Sequence, residues 1–188
     1  MGVSDYSIGR TTLFFAEVEA QASPSAARMD DPLSLGNIEV AEITPQISYV
    51  EHYVSLKGCR RKDRDLIETK KVSINFTWDE VNSTNLQKFL YGGTVVASKM
   101  PLMKKNKIEG RAILQFNTDV GNEFLYIIPR CVLKSEGGLS LQADEWIKGQ
   151  FQLEVLCHPR YKMYDNSAAS LAPYGYMDFD ANVIGSPF

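Results

Sequence analysis

Two histidines, His52 and His158, three cysteines, Cys59, Cys131 and Cys157, and the acid pairs Asp30-Asp31, Asp79-Glu80 and Asp144-Glu145 are the side chains of this 188-residue sequence best suited to chemistry. A zinc site is built from clustered His, Cys and carboxylate ligands at short characteristic spacings, and neither histidine has a second ligand so placed. No metal is expected. Cys157 adjoins His158, but neighbours on a strand point to opposite faces, so they cannot form a thiolate–imidazolium dyad within it. The acid pairs fall at predicted turns or helix starts, where solvation and capping are the ordinary roles of carboxylates. The chain lacks GxSxG, HExxH, a P-loop and a GxGxxG after a strand. Asn75-Phe76-Thr77 and Asn82-Ser83-Thr84 fit the glycosylation pattern, but Met1 to Arg10 lack the apolar core of a secretory signal, which predicts a cytoplasmic protein with reduced thiols. The expectation is a protein that is not an enzyme and holds no cofactor.

The remaining chemistry is charge. Residues 1–56 carry two Arg against eight carboxylates, residues 57–71 seven Lys or Arg against three acids, and nothing after Lys162 is basic although Asp165, Asp178 and Asp180 are acidic. Such segregation suits a surface that must match a complementary surface on a neighbouring copy. The basic run Lys57 to Lys71 joins two predicted strands, and at about fourteen residues it exceeds the usual hairpin loop of about two to five. Phosphate binding is disfavoured because Asp63, Asp65 and Glu68 interrupt the bases and no aromatic platform accompanies them. Mixed charge with Leu66 and Ile67 suits a protein partner.

The elements that position these residues follow from periodicity. Composition is ordinary for a globular domain, 44% apolar and 23% charged. The longest apolar run, Phe124 to Ile128, stops at Pro129, far short of the about 20 residues that span a bilayer, so no membrane is implicated. Val72, Ile74, Phe76 and Trp78 alternate with Lys71, Ser73, Asn75 and Thr77, and Phe151, Leu153, Val155 and Cys157 alternate with Gln150, Gln152 and Glu154. These read as strands with one wet face, and residues 46–54 as a third. Residues 111–117 and 123–134 read as a hairpin, residues 11–18 as a strand, and residues 37–44 as another that Pro45 interrupts. One helix is predicted over 82–91, capped by Asn82 or Ser83 and ended by Gly92-Gly93, plugging one end of the sheet. Residues 19–36 and 163–188 lack periodicity and read as arms outside the main sheet. The fold class is mainly β: an antiparallel sandwich or small barrel with one flanking helix.

In this order the features resemble the tail tube (major tail) proteins of tailed bacteriophages. The resemblance is carried by Leu35-Gly36-Asn37-Ile38-Glu39-Val40, Tyr49 to Gly58, the charged run, Val72 to Asp79, and Asn85 to Gly93, and covers roughly residues 8–160. It implies a tail tube domain over residues 1–162, with an irregular arm at about 19–36, and a C-terminal extension over 163–188. It further implies hexameric rings stacked into a hollow tube, with DNA passing through the lumen without sequence-specific binding and no catalysis. The tape measure protein and the tail terminator and tip proteins are the implied partners, and the virion tail, assembled in the host cytoplasm, the implied location. Contractile and non-contractile tails and a bacterial secretion apparatus share this fold, and a small ligand-binding β-barrel or a hydrolase using His52 or His158 are the alternatives of other classes.

Two sets of residues follow as candidates. The run 57–71 is expected to contact an adjacent ring through Lys57, Arg60, Arg61, Lys62, Arg64, Leu66, Ile67 and Lys70, its bases meeting carboxylates of the acidic first 56 residues or the acidic tail of a neighbour. Ser73, Asn75, Thr77, Gln150, Gln152 and Glu154 are expected to line the lumen, since a neutral or acidic wall would not retard a polyanion.

Overall fold

In the computed structural model, which describes residues 11–17, 33–80, 82–116, 123–140, 147–164 and 169–181, the predicted alternation becomes strands that share one core. The elements are β1 (Thr11–Glu17), β2 (Leu33–Leu56), β3 (Cys59–Trp78), α1 (Ser83–Phe89), β4 (Ile108–Phe116), β5 (Glu123–Ser140), β6 (Lys148–Val155), β7 (Lys162–Tyr164), β8 (Ala169–Leu171) and β9 (Tyr176–Ala181). Pairing runs β4-β1-β2-β3-β6-β5, and β4 also pairs with β5, so six antiparallel strands hydrogen-bond in a closed ring. β2 carries the ring in two parts, pairing with β1 up to Ile38 and with β3 from Ile38 onward, so closure removes the free edges of the other five strands around the core while β2 keeps one beyond Ile38.

The ring's interior is filled by side chains. Leu13, Phe15, Leu35, Ile74, Phe76, Trp78, Ile108, Leu114, Ile128, Leu133, Phe151 and Leu153 are buried. Trp78 stacks on Phe151 with ring centroids 5.8 Å apart, and Phe89 of α1 meets both rings edge-on at 6.0 and 5.4 Å. Such pairs add about 0.5–1.5 kcal/mol each beyond area burial. Helix α1 begins where Asn82 Oδ1 accepts from Asn85 N at 2.8 Å. The buried Asn85 Nδ2 donates to Leu35 O and Glu80 O, both at 2.9 Å, tying the helix to β2 and to the exit of β3. Lys88 is buried beside it, its Nζ 3.4 Å from Glu17 and over the ring of Phe15, so its charge is met by a carboxylate rather than left bare. The left-handed residue after the helix is Tyr91, φ 49°, rather than the predicted glycines. Gly92 and Gly93 serve close approach instead, since a Cβ on either would press on Met100, Pro101 and Lys104.

Three expectations are corrected. Residues 57–71 are not an irregular loop: β2 and β3 form one long hairpin paired from Ile38↔Trp78 to Leu56↔Cys59. Its turn is only Lys57-Gly58, with φ of 50° and 79° as a two-residue primed turn requires. Pro45 does not break β2, because beyond Ile38 this strand pairs only with β3 among the described residues, and proline is tolerated on such an edge. The segment 163–188 does not lie wholly outside the sheet: β9 pairs with β5 from Glu123↔Ala181 to Ile127↔Tyr176. Its entry is held by Gly175, φ 87°, where any Cβ would lie 2.1 Å from Ile127 O. Of the arm expected at 19–36, residues 33–36 belong to β2, and the rest lies outside the described residues, as does the 117–122 connection.

Candidate functional site: a protruding ribbon and a polar sheet face

β3 pairs with β6 only from Val72↔Val155 to Trp78↔Gly149. From Gln46↔Lys71 outward, β2 and β3 therefore continue as a two-stranded ribbon, and the thirteen residues from Lys71 to Cys59 reach about 40 Å at about 3.3 Å per residue. The ribbon leaves one end of β3, and α1 follows the other.

Opposed residues in an antiparallel pair share a face, and β3 carries one extra residue at Glu68 and another at Asp63, where the register shifts. Ile47, Tyr49, Ile67 and Tyr53 thus lie on one face together with Glu51, Lys62, Asp65 and Arg60. Val50, Leu66 and Val54 lie on the other with His52, Asp63 and Arg64. All seven apolar side chains are about half exposed, from 38% at Val54 to 56% at Tyr49. An isolated hairpin is marginal in water, and this one exposes apolar groups on both faces.

The ribbon's charges are partly matched within the chain. Lys62 Nζ is 2.7 Å from both Glu51 and Asp65, and Arg64 Nε 3.2 Å from Asp63. Arg60 lies over the Tyr53 ring, 4.6 Å from its centroid. The Lys62 hydrogen bond, aided by the Tyr53 hydroxyl, holds the Glu51 carboxyl below its usual range; Lys62 is raised first by its hydrogen bond to Asp65 and then by that to Glu51, and Tyr53 is raised by Glu51. Ser48 Oγ accepts from Thr69 N at 3.1 Å across the bulge. His52 Nδ1 lies 3.3 Å from Asp63. Lys57, Arg61 and Lys70 have no carboxylate partner among the described residues.

The second candidate set lies on the barrel's outer face. Ser73, Asn75 and Thr77 are opposite Glu154, Gln152 and Gln150 on β6, flanked by Lys134 and Glu136 of β5 and by Glu42 and Thr44 of β2. Ile74, Phe76, Trp78, Phe151, Leu153 and Val155 point the other way and are buried. Gln152 Nε2 donates to Asn75 Oδ1 at 3.2 Å. Lys134 hydrogen-bonds Glu154 and is the main reason that carboxyl sits below its usual range. Lys148 meets Glu39 at 2.6 Å. Glu39, Glu42, Glu136 and Glu154 outnumber Lys134 and Lys148, so this wall is mildly acidic with one more cation, Lys71, at the strand end.

Among the described residues, those first considered for chemistry are not brought together; Asp30-Asp31 and Asp144-Glu145 lie outside the described residues. His52 is on the ribbon, whereas His158 follows β6, packs edge-on to Tyr161 at 6.0 Å and has its N donating to Pro173 O at 2.7 Å. Cys59 and Cys157 are exposed, and Cys131 is buried, its Sγ donating to Gly110 O and its thiol pushed up by burial. Among the described residues no three His, Cys, Asp or Glu could share a metal, and no helix is long and apolar enough to cross a membrane. The sequence reading missed the C-terminal aromatic group, in which Tyr161 stacks on Tyr176, Phe124 meets Phe179 edge-on, and Tyr174 Oη donates to Lys70 O at the ribbon's base. The clustering of Tyr174, Tyr176 and Phe179 within six residues was the available signal.

Residues 13–105, from β1 through the ribbon to the loop after α1, match a family described as a protein of unknown function. No curated protein matches the chain. Among solved structures, the chain is similar to a chain of the anti-feeding prophage (AFP) baseplate, determined by cryo-electron microscopy with 6-fold symmetry. The two are 11% identical with a TM-score of 0.46, and the match covers 81% of this chain and 92% of that one.

Proposed function

We propose that the protein is a structural, non-enzymatic tail tube subunit of a phage or phage-like particle, polymerising through the β2–β3 ribbon into stacked hexameric rings. The observation that carries this reading is the ribbon itself: a projection of about 40 Å, apolar on both faces and open along both edges, attached to a closed and filled barrel. A monomer gains nothing by exposing it, while exposed apolar surface of this kind marks an interaction site. Because the ribbon and α1 lie at opposite ends of β3, head-to-tail stacking would carry each ribbon onto the next ring, a heterologous contact that propagates along an axis. The barrel interior is occupied by side chains such as Trp78 and Phe151, which favours a structural role over a ligand-binding barrel. Ser73, Asn75, Thr77, Gln150, Gln152 and Glu154 then line the lumen, where a mildly acidic wall would let DNA slide. In this reading the tape measure, terminator and tip proteins are the remaining partners, and the particle's tail, built in the host cytoplasm, is its location.

Electron microscopy of the purified protein tests the proposal. Rings or tubes are expected on concentration, and a monodisperse monomer at every concentration would refute it. In tubes, cysteines placed at 73, 75 and 77 should react with a small thiol reagent admitted to the lumen; labelling at 74 and 76 instead would reverse the facing.

A further inference from the structure

The ribbon's receptor on a neighbouring copy is legible in the edges the fold leaves open. β4 pairs with β5 along residues 124–133, so β6 and β9 follow one another along the opposite edge of β5. β9 pairs only on its β5 side among the described residues, and β3 is unpaired on its outer edge from Cys59 to Lys71. Unpaired strand edges are templates for strand addition.

We propose that the free edge of β9 in one copy takes the basic outer edge of the β3 ribbon of a second copy, adding a strand to the sheet. Charge selects this pairing. The segment after Lys162 contains Asp165, Asp178 and Asp180 and no Lys or Arg, whereas residues 57–71 carry seven bases against three acids. The competing edge is that of β2, but Pro45 lies on it and has no N–H to give to an added strand. Apolar surface also matches: Met177 and Phe179 are 43% and 60% exposed, with Phe124 against Phe179, and the ribbon offers Ile67 beside Tyr49 and Ile47. The contact joins different surfaces of two copies, so it closes rings or propagates rather than ending at a dimer.

This inference rests on the self-assembly reading, and the test separates the two. In a Cys59→Ser, Cys157→Ser background, Ile67→Cys protein is mixed with Phe179→Cys protein, assembled and oxidised. Paired strands bring Cα atoms to about 4.5–5.5 Å, within disulfide reach, so a linked heterodimer is expected in the mixture, and a ladder of linked oligomers from the double variant. Tubes without the heterodimer overturn the β9 receptor while self-assembly stands, and so does an intramolecular link in the double variant. A parent protein that never assembles removes both. Should either cysteine variant fail to assemble, Asp65→Cys, which shares the Ile67 face, mixed with Met177→Cys, two residues before Phe179, provides a second pair, and tubes lacking that link overturn the β9 receptor in the same way.

Discussion

Charging the apolar ribbon should abolish assembly and leave the subunit intact. Leu66 and Ile67 are 49% and 52% exposed in the free chain. Full burial of a Leu or Ile side chain contributes about 1.5–3 kcal/mol, so covering the remaining half of each contributes about 1 kcal/mol. Leu66→Asp/Ile67→Asp therefore forfeits about 2 kcal/mol per added subunit, a rise of roughly thirtyfold in the concentration needed for elongation at about 1.4 kcal/mol per tenfold. Drawing two carboxylates into a dry contact adds to that. The assay is the critical concentration by sedimentation, with electron microscopy of the pellet. In parallel, the unassembled variant should melt like the parent, because neither residue touches the barrel core. Tubes forming at the parental concentration would refute the ribbon's role and return its charges to plain solvation.

The other predictions concern the subunit itself. Trp78→Ala, which removes the centre of the aromatic cluster, should cost about 3–5 kcal/mol and lower the melting temperature by roughly 6–20 °C at this chain length, while Thr77→Ala changes little; equal melts would mean that the facing of β3 is wrong. Gly110→Ala would place a Cβ 2.2 Å from Ala16 O at the β1–β4 seam, an overpacking that should cost at least about 1–3 kcal/mol in chemical denaturation. Glu109 and Glu154 are held below the ordinary carboxylate value of 4.5, first by their hydrogen bonds to Lys107 and Lys134. A depressed carboxyl contributes stability that is present above its unfolded pKa and lost as pH falls through the folded one. Melting temperature should accordingly hold between neutrality and that value and fall below it, and Glu154→Gln should show a shallower acid decline; an identical acid profile in the variant would show that Lys134 stabilises nothing through that carboxylate.

Much of the local design was written in the order of residues. The period-2 patterns at 72–78 and 150–155 assign core and wet faces because alternation is a property of the strand backbone, and the Asn82 cap is a contact between residues three apart. The lack of a metal-ligand spacing or nucleophile motif likewise depended on short-range pattern alone. The ribbon was not legible. Two extra residues, at Asp63 and Glu68, break the alternation of β3, and its charged groups read as a long partner-binding loop until β2 supplies partners for them from across the ladder. Pro45 read as a stop because the sequence does not say which edges stay open. Barrel closure through β1–β4 and the recruitment of β9 depend on pairings between residues about 50 to 100 positions apart, and loop closure over such distances leaves no local trace. Composition could show that charge was segregated along the chain, but only the tertiary pairing decided that the basic run projects as a strand edge while the acidic tail contributes another.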